Sequence, residues 1–142
     1  MIEASPDITL QMNELNNLSN QNHPNGIFIT HAHIGHYTGL MYLGKEAMNL
    51  KNFPIYVMPK LKNYLEKNGP WSQLVSLKNI KLISMEPNFK INITSNISIK
   101  PFLIPHRNEY SETCGFKIYG PNKKILFIPD IDKWSLWDKN LI

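Results

Sequence analysis

Thr30-His31-Ala32-His33-Ile34-Gly35-His36 sets three imidazoles within six positions, directly after the apolar run Ile27-Phe28-Ile29. That run, entered from the Asn25-Gly26 turn, reads as a short buried strand. The loop therefore opens at a strand's C-terminal end, where α/β sheets usually place ligands. In extended backbone residues i and i+2 share a face, so His31 and His33 can converge on one point. Gly35 is expected to let the chain turn, and His36 to enter from the start of the next helix. Unrelated surface histidines would show no such arrangement. Three neutral imidazoles at this spacing, behind a buried strand, point to metal binding.

On the N-terminal side, Ser5 suits a helix N-cap and Pro6 the first helical position, with Ile8, Met12 and Leu15 on one face. On the C-terminal side a second helix is expected to carry Leu40, Leu43 and Ala47 inward. Pro54–Met58 reads as a strand, and 59–68 as a helix stopped by Gly69-Pro70. From Lys81 onward the pattern is mostly strand: 81–84, 97–99, 102–104, 115–119 and 125–128. A helix is predicted over 133–139. Alternating helices and strands followed by a run of strands indicate a layered α/β fold.

Composition narrows the function. The chain has 142 residues, 42% hydrophobic and 18% charged, which fits one globular domain over 1–142. One Cys excludes a disulfide framework and a thiolate zinc site. Of the 15 basic residues against 11 acidic ones, Arg107 is the only Arg, and the Lys are scattered. No stripe of basic and aromatic residues suggests nucleic acid as a partner. No apolar run approaches the ~20 residues of a membrane span, and no basic-then-apolar leader follows Met1, which favours the cytoplasm.

The His-rich loop resembles the HxHxDH signature of the metallo-β-lactamase fold superfamily, with Gly35 in the place of the Asp. Glu3-Ala4-Ser5-Pro6-Asp7 is similar to the strand-to-helix turn that precedes the motif in many members. Ile104-Pro105-His106 resembles the strand end bearing the third ligand of the first metal, and Ile125–Asp130 the strand whose terminal Asp bridges two metals. The wording of the loop, HAHIGHYTGL, is most similar to the branch containing the pyrroloquinoline-quinone biosynthesis protein B. The resemblance implies an α/β chain that is part of a four-layer αββα sandwich. That fold usually exceeds about 200 residues, so a piece truncated at both ends is expected, ending before the region that supplies the last metal-binding His.

The resemblance also implies roles. His31, His33 and His106 would hold one ion with an open fourth position, and zinc suits such a set. A metal held this way lowers the pKa of its water to about 7. His36 and Asp130 would belong to a second metal, with Asp130 also touching the first, and both would be catalytic. Gly35 removes a carboxylate from that second site, so a single zinc is expected. Asp132, two residues from Asp130, competes for the metal-facing role or caps a helix. Glu109 or Glu112 could orient a ligating imidazole, Arg107 could clamp an anionic small-molecule substrate, and Tyr37 could donate to it or simply pack. Cys114 reads as a small buried hydrophobe.

Four functions follow. The first is a zinc-dependent hydrolase of an ester, amide, thioester or phosphodiester. A mononuclear metalloprotein of cofactor biosynthesis is favoured by the loss of the motif Asp. A metal-stapled domain without catalysis and an RNA-processing enzyme complete the set, and the last lacks the clustered basic surface it needs.

Overall fold

The computed structural model describes residues 1–137. The apolar run before the His-rich loop forms β1 (Ile27–Phe28). β2 (Phe53–Val57) lies beside it in parallel, Ile27 opposite Ile55, and β3 (Ile80–Ser84) extends the sheet with Phe53 opposite Ile80. Parallel neighbours need crossover connections. Between β1 and β2 runs α2 (Ile34–Tyr37), continued by a 3-10 turn over Thr38–Leu43. Between β2 and β3 run α3 (Pro59–Lys67) and α4 (Trp71–Ser76), while α1 (Ile8–Ser19) precedes β1. Ile8, Met12, Leu40, Leu61 and Leu74 pack with Ile27, Ile55 and Val57 in one core.

Because side chains alternate along a strand, Phe28 turns to the opposite face. It stacks on Tyr56 at 4.2 Å and meets Phe116 edge-on at 5.7 Å. Phe116 belongs to a second, antiparallel sheet of β4 (Ile91–Asn92), β5 (Ser98–Leu103), β6 (Cys114–Tyr119) and β7 (Lys124–Phe127), ordered as in the chain. Ile99, Cys114 and Phe116 bury against Phe28, Met58 and Met85 in a second core. The molecule is thus mixed α/β, with helices, a parallel sheet and an antiparallel sheet in layers. Among the described residues no α-helix covers the outer face of the antiparallel sheet. No helix among them is long and apolar enough to cross a membrane.

Several predicted elements need correction. α1 starts at Ile8 with Asp7 as N-cap, because the Ser5 hydroxyl accepts the Asp7 N–H (3.2 Å) in a turn ahead of the helix. The helix after the His-rich loop is short, and Ala47 sits in an exposed turn beyond it. Gly69-Pro70 ends α3 as expected, but a further helix that the pattern did not indicate, α4, follows at once. The segments 97–99 and 102–104 belong to one strand, β5. Pro101 is tolerated there: its carbonyl takes the Asn88 N–H (2.8 Å), so its missing N–H faces the side where β4 has ended. The C-terminal helix is a 3-10 turn, Trp134–Leu136, and Lys139 lies outside the described residues.

One close approach holds the N-terminal turn in place. Gly39 N–H donates to the Ala4 carbonyl at 2.8 Å. A Cβ on Gly39 would strike the Ser5 carbonyl oxygen and stand 2.9 Å from Ile8 Cβ. Gly35, by contrast, has a negative φ and no atom within 4 Å of a built Cβ, so its expected role in turning the chain is not a steric necessity. Gly39→Ala should therefore cost roughly 1–3 kcal/mol in denaturant unfolding, whereas Gly35→Ala should cost nothing. Equal losses would contradict the close approach.

Candidate metal centre

His31 and His33 leave the end of β1 on the same side, as extended backbone dictates, and His31 Nε2 lies 2.8 Å from His33 Nδ1. His106, carried beyond β5, brings its Nε2 to 3.2 Å from the same His33 atom. Asp130, beyond β7, places Oδ2 3.3 Å from His31 Nε2, 3.7 Å from His106 Nε2 and 3.2 Å from His36 Nε2. One donor atom from each of His31, His33, His106 and Asp130 falls within 4.8 Å of all the others. His36 stands beside this group, its ring centroid 4.3 Å from that of His31.

The outer atoms of these rings are also engaged. His33 Nε2 donates to Glu109 Oε2 at 2.9 Å, and His106 Nδ1 to Asp132 Oδ1 at 2.7 Å. A carboxylate only accepts, so each ring's proton is drawn outward and its inner nitrogen is left as a lone pair. Two lone pairs then face one another at 3.2 Å with no proton between them. With both rings neutral that contact is repulsive, and a cation between them relieves it. Two nitrogens bound to one tetrahedral zinc at ~2.05 Å stand about 3.3 Å apart, close to the observed spacings. The donor set fits such an ion.

Burial and neighbours separate the imidazoles electrostatically. His31 is 1% exposed, and burial, reinforced by His36 and His33, pushes its pKa from the usual 6.5 to about 3. It stays neutral and able to ligate. His36 shifts the other way: its Nδ1 donates to Glu3 Oε2 at 3.0 Å, and that bond, with Asp130 on the other nitrogen, raises its pKa. Glu109 is drawn below the usual carboxylate range, chiefly by its bond to His33.

Glu3 was not legible as a site residue. Its φ of 69° is unusual for a non-glycine, and it lets Oε1 accept the Thr30 N–H (3.1 Å) while Oε2 takes His36. The acid that opens the N-terminal turn was the available signal. Asp132 neither faces the donor cluster nor caps the turn that follows, but orients His106. Glu112 does not reach an imidazole: it accepts the Lys60 backbone N–H at 3.0 Å, at the start of α3. Arg107 stands at the rim, Nη1 3.5 Å from Glu109 Oε1. Tyr37, expected as a possible substrate donor, is buried, with its hydroxyl 3.1 Å from that of Tyr64. Cys114 is buried, its thiol pushed up by desolvation.

This arrangement has relatives. The β-lactamase superfamily domain model matches residues 1–141, and the chain belongs to that family. It is 30% identical over 103 residues to the chloroplastic tRNase Z TRZ2 of Arabidopsis thaliana, covering 70% of this chain and 28% of that protein. Zn(2+)-bound PqqB from Methylobacterium extorquens shares the fold with a TM-score of 0.72 and 18% identity, over 95% of this chain and 50% of that one. A diphosphatase from the PhnP family matches with a TM-score of 0.55 and 17% identity, over 82% of this chain and 43% of its own. The chain thus spans half or less of the length of each. The superfamily resemblance read from the His-rich loop is borne out, and the likeness to PqqB is one of fold.

Two outcomes follow. Glu109→Gln and Asp132→Asn should each weaken zinc binding about 10–100-fold, read by competition with a chromogenic chelator; unchanged affinity would deny them their orienting role. The metal-free chain should also lose stability as pH falls from 6.5 towards 3. Above 6.5 His31 is neutral in both states, and below it only the unfolded chain takes the proton. His36 works oppositely, stabilising below 6.5 and losing that contribution as pH climbs through its raised value. A stability profile in which His31→Gln keeps the same acid slope would contradict this assignment.

Proposed function

We propose that this chain carries a one-metal centre that hydrolyses a small-molecule ester, amide, thioester or phosphodiester. The observation that carries the reading is the meeting of four donor atoms, from His31, His33, His106 and Asp130, within 4.8 Å. In this reading His31, His33 and His106 hold zinc with its fourth position open beside Asp130, and the ion when bound would polarise the scissile group and make hydroxide available near neutral pH. His36 is not needed as a ligand. Between Glu3 and Asp130 it has acceptors on both ring nitrogens and can hold a proton at Nε2, beside the reacting atoms. Arg107 offers a planar fork to an anionic group. The likeness to a diphosphatase supports the phosphoester end of the substrate range.

A second reading, a mononuclear metalloprotein of cofactor biosynthesis, draws on the likeness to PqqB and on Gly35, which supplies no carboxylate where a second ion would need one.

Elemental analysis of the full-length protein should find about one zinc per chain, dropping near zero in His31→Ala and His106→Ala. Hydrolysis of a panel of esters, thioesters and phosphodiesters should vanish on chelation and return with zinc. Two ions per chain would overturn the one-metal reading. Bound zinc without turnover of any panel member would favour the cofactor-biosynthesis reading.

A further inference from the structure

The two residues that follow His33 and Glu109 in the chain carry large apolar side chains that neither core uses. Ile34, next after His33, is 71% exposed, and Tyr110, next after Glu109, is 61% exposed. His33 and Glu109 are joined by a 2.9 Å hydrogen bond, so Tyr110 follows directly on a residue bonded to the donor cluster. Tyr110 is held in place. Its ring centroid lies 5.2 Å from that of Tyr64, tilted by 37°. The Tyr64 hydroxyl meets that of the buried Tyr37, whose ring packs 5.1 Å from Trp71. One side of Tyr110 is thus backed by a row of aromatic rings anchored in the core, while much of its surface stays open to solvent. Arg107, 63% exposed, stands on the same loop with Nη1 against Glu109.

A fixed ring beside a cation is a surface for a ligand that is itself aromatic at one end and anionic at the other. A ring already held in one orientation loses little freedom when another stacks on it, and a guanidinium fork suits a planar or tetrahedral oxyanion. We propose that Tyr110, with Arg107 on the same loop, forms a subsite for the aryl group of an anionic ester substrate, the charged end lying between Arg107 and the metal centre. This assignment rests on the metal-hydrolase reading above and names its substrate class.

The test compares phenylphosphonate with methylphosphonate, unreactive anions that differ in the ring, by calorimetric titration of the zinc-loaded full chain. The phenyl compound should bind about three- to tenfold tighter, the range of one aromatic contact. Tyr110→Ala should bring the two within twofold without changing zinc content, Tyr110→Phe should keep the preference, and Arg107→Gln should weaken both alike. Equal binding by the unaltered chain, or a preference that survives Tyr110→Ala, would overturn the subsite. Zinc content of the same samples separates the two claims: zinc bound without an aryl preference defeats the subsite alone, and no zinc defeats both.

Discussion

A neutral imidazole has two nitrogens and one proton, so the group outside the ring decides which nitrogen is free inside. In this molecule acceptor-only carboxylates make that decision for His33 and His106. Their inner lone pairs meet in a space that suits a cation. The carboxylates and the rings come from different layers: His31 and His33 follow the parallel sheet, whereas His106, Glu109, Asp130 and Asp132 follow strands of the antiparallel one. The centre is therefore a seam between two sheets. Other bonds run along it: Cys114 N–H to the Thr30 carbonyl at 3.1 Å, Ala32 N–H to the Ser111 hydroxyl at 2.9 Å, and Lys60 N–H to Glu112. These hold the 107–113 loop over the His-rich loop.

The seam also explains the placement of the second core. Phe28 sits one residue away from the facing that Ile27 and Ile29 share, and it projects between the sheets to meet Phe116. Burial of Phe28, Met58, Met85, Ile99 and Phe116 sets the spacing of the sheets, each fully buried large side chain contributing about 1.5–3 kcal/mol. With that spacing fixed, the strand ends bring their loops to a common edge. The donor cluster lies at the end of this packed wedge, and His31, the deepest imidazole, is as buried as the core beneath it.

How much of this could be read from the chain depends on the range of the interaction. His31 and His33 were legible because period-two alternation is local. The strands at 53–57 and 114–119 were legible from compact β-branched and aromatic runs. The pairing of His106 with His33 across 73 positions came from resemblance, since no local rule spans that distance. The end of the helix after the loop was misread because Ala47 has helical propensity but no surface to bury against. The local pattern suggests two strands where β5 is one, because Pro101 looks like a break until its carbonyl partner, Asn88, is known. Asp132 suits a cap by local pattern, whereas its partner lies 26 residues back.

His36 is set apart from its neighbours by a residue that local rules would not single out. Glu3 adopts a left-handed conformation that costs a non-glycine of order 1 kcal/mol, and such strain persists only when surrounding contacts enforce it. Here they do: its N–H donates to Phe28, its carboxylate accepts from both Thr30 and His36, and the following turn is pinned on Gly39. The outcome is a ring with an acceptor on each nitrogen, Glu3 on one side and Asp130 on the other. Two acceptors call for two protons, and a doubly protonated imidazole has no lone pair for a metal. A second ion at His36 would have to displace a proton from one of these contacts, and Gly35 brings no carboxylate to offset that cost. Two imidazoles whose outer carboxylates leave lone pairs turned inward, and one held between two acids, form the electrostatic pattern that the proposed single-metal centre would use.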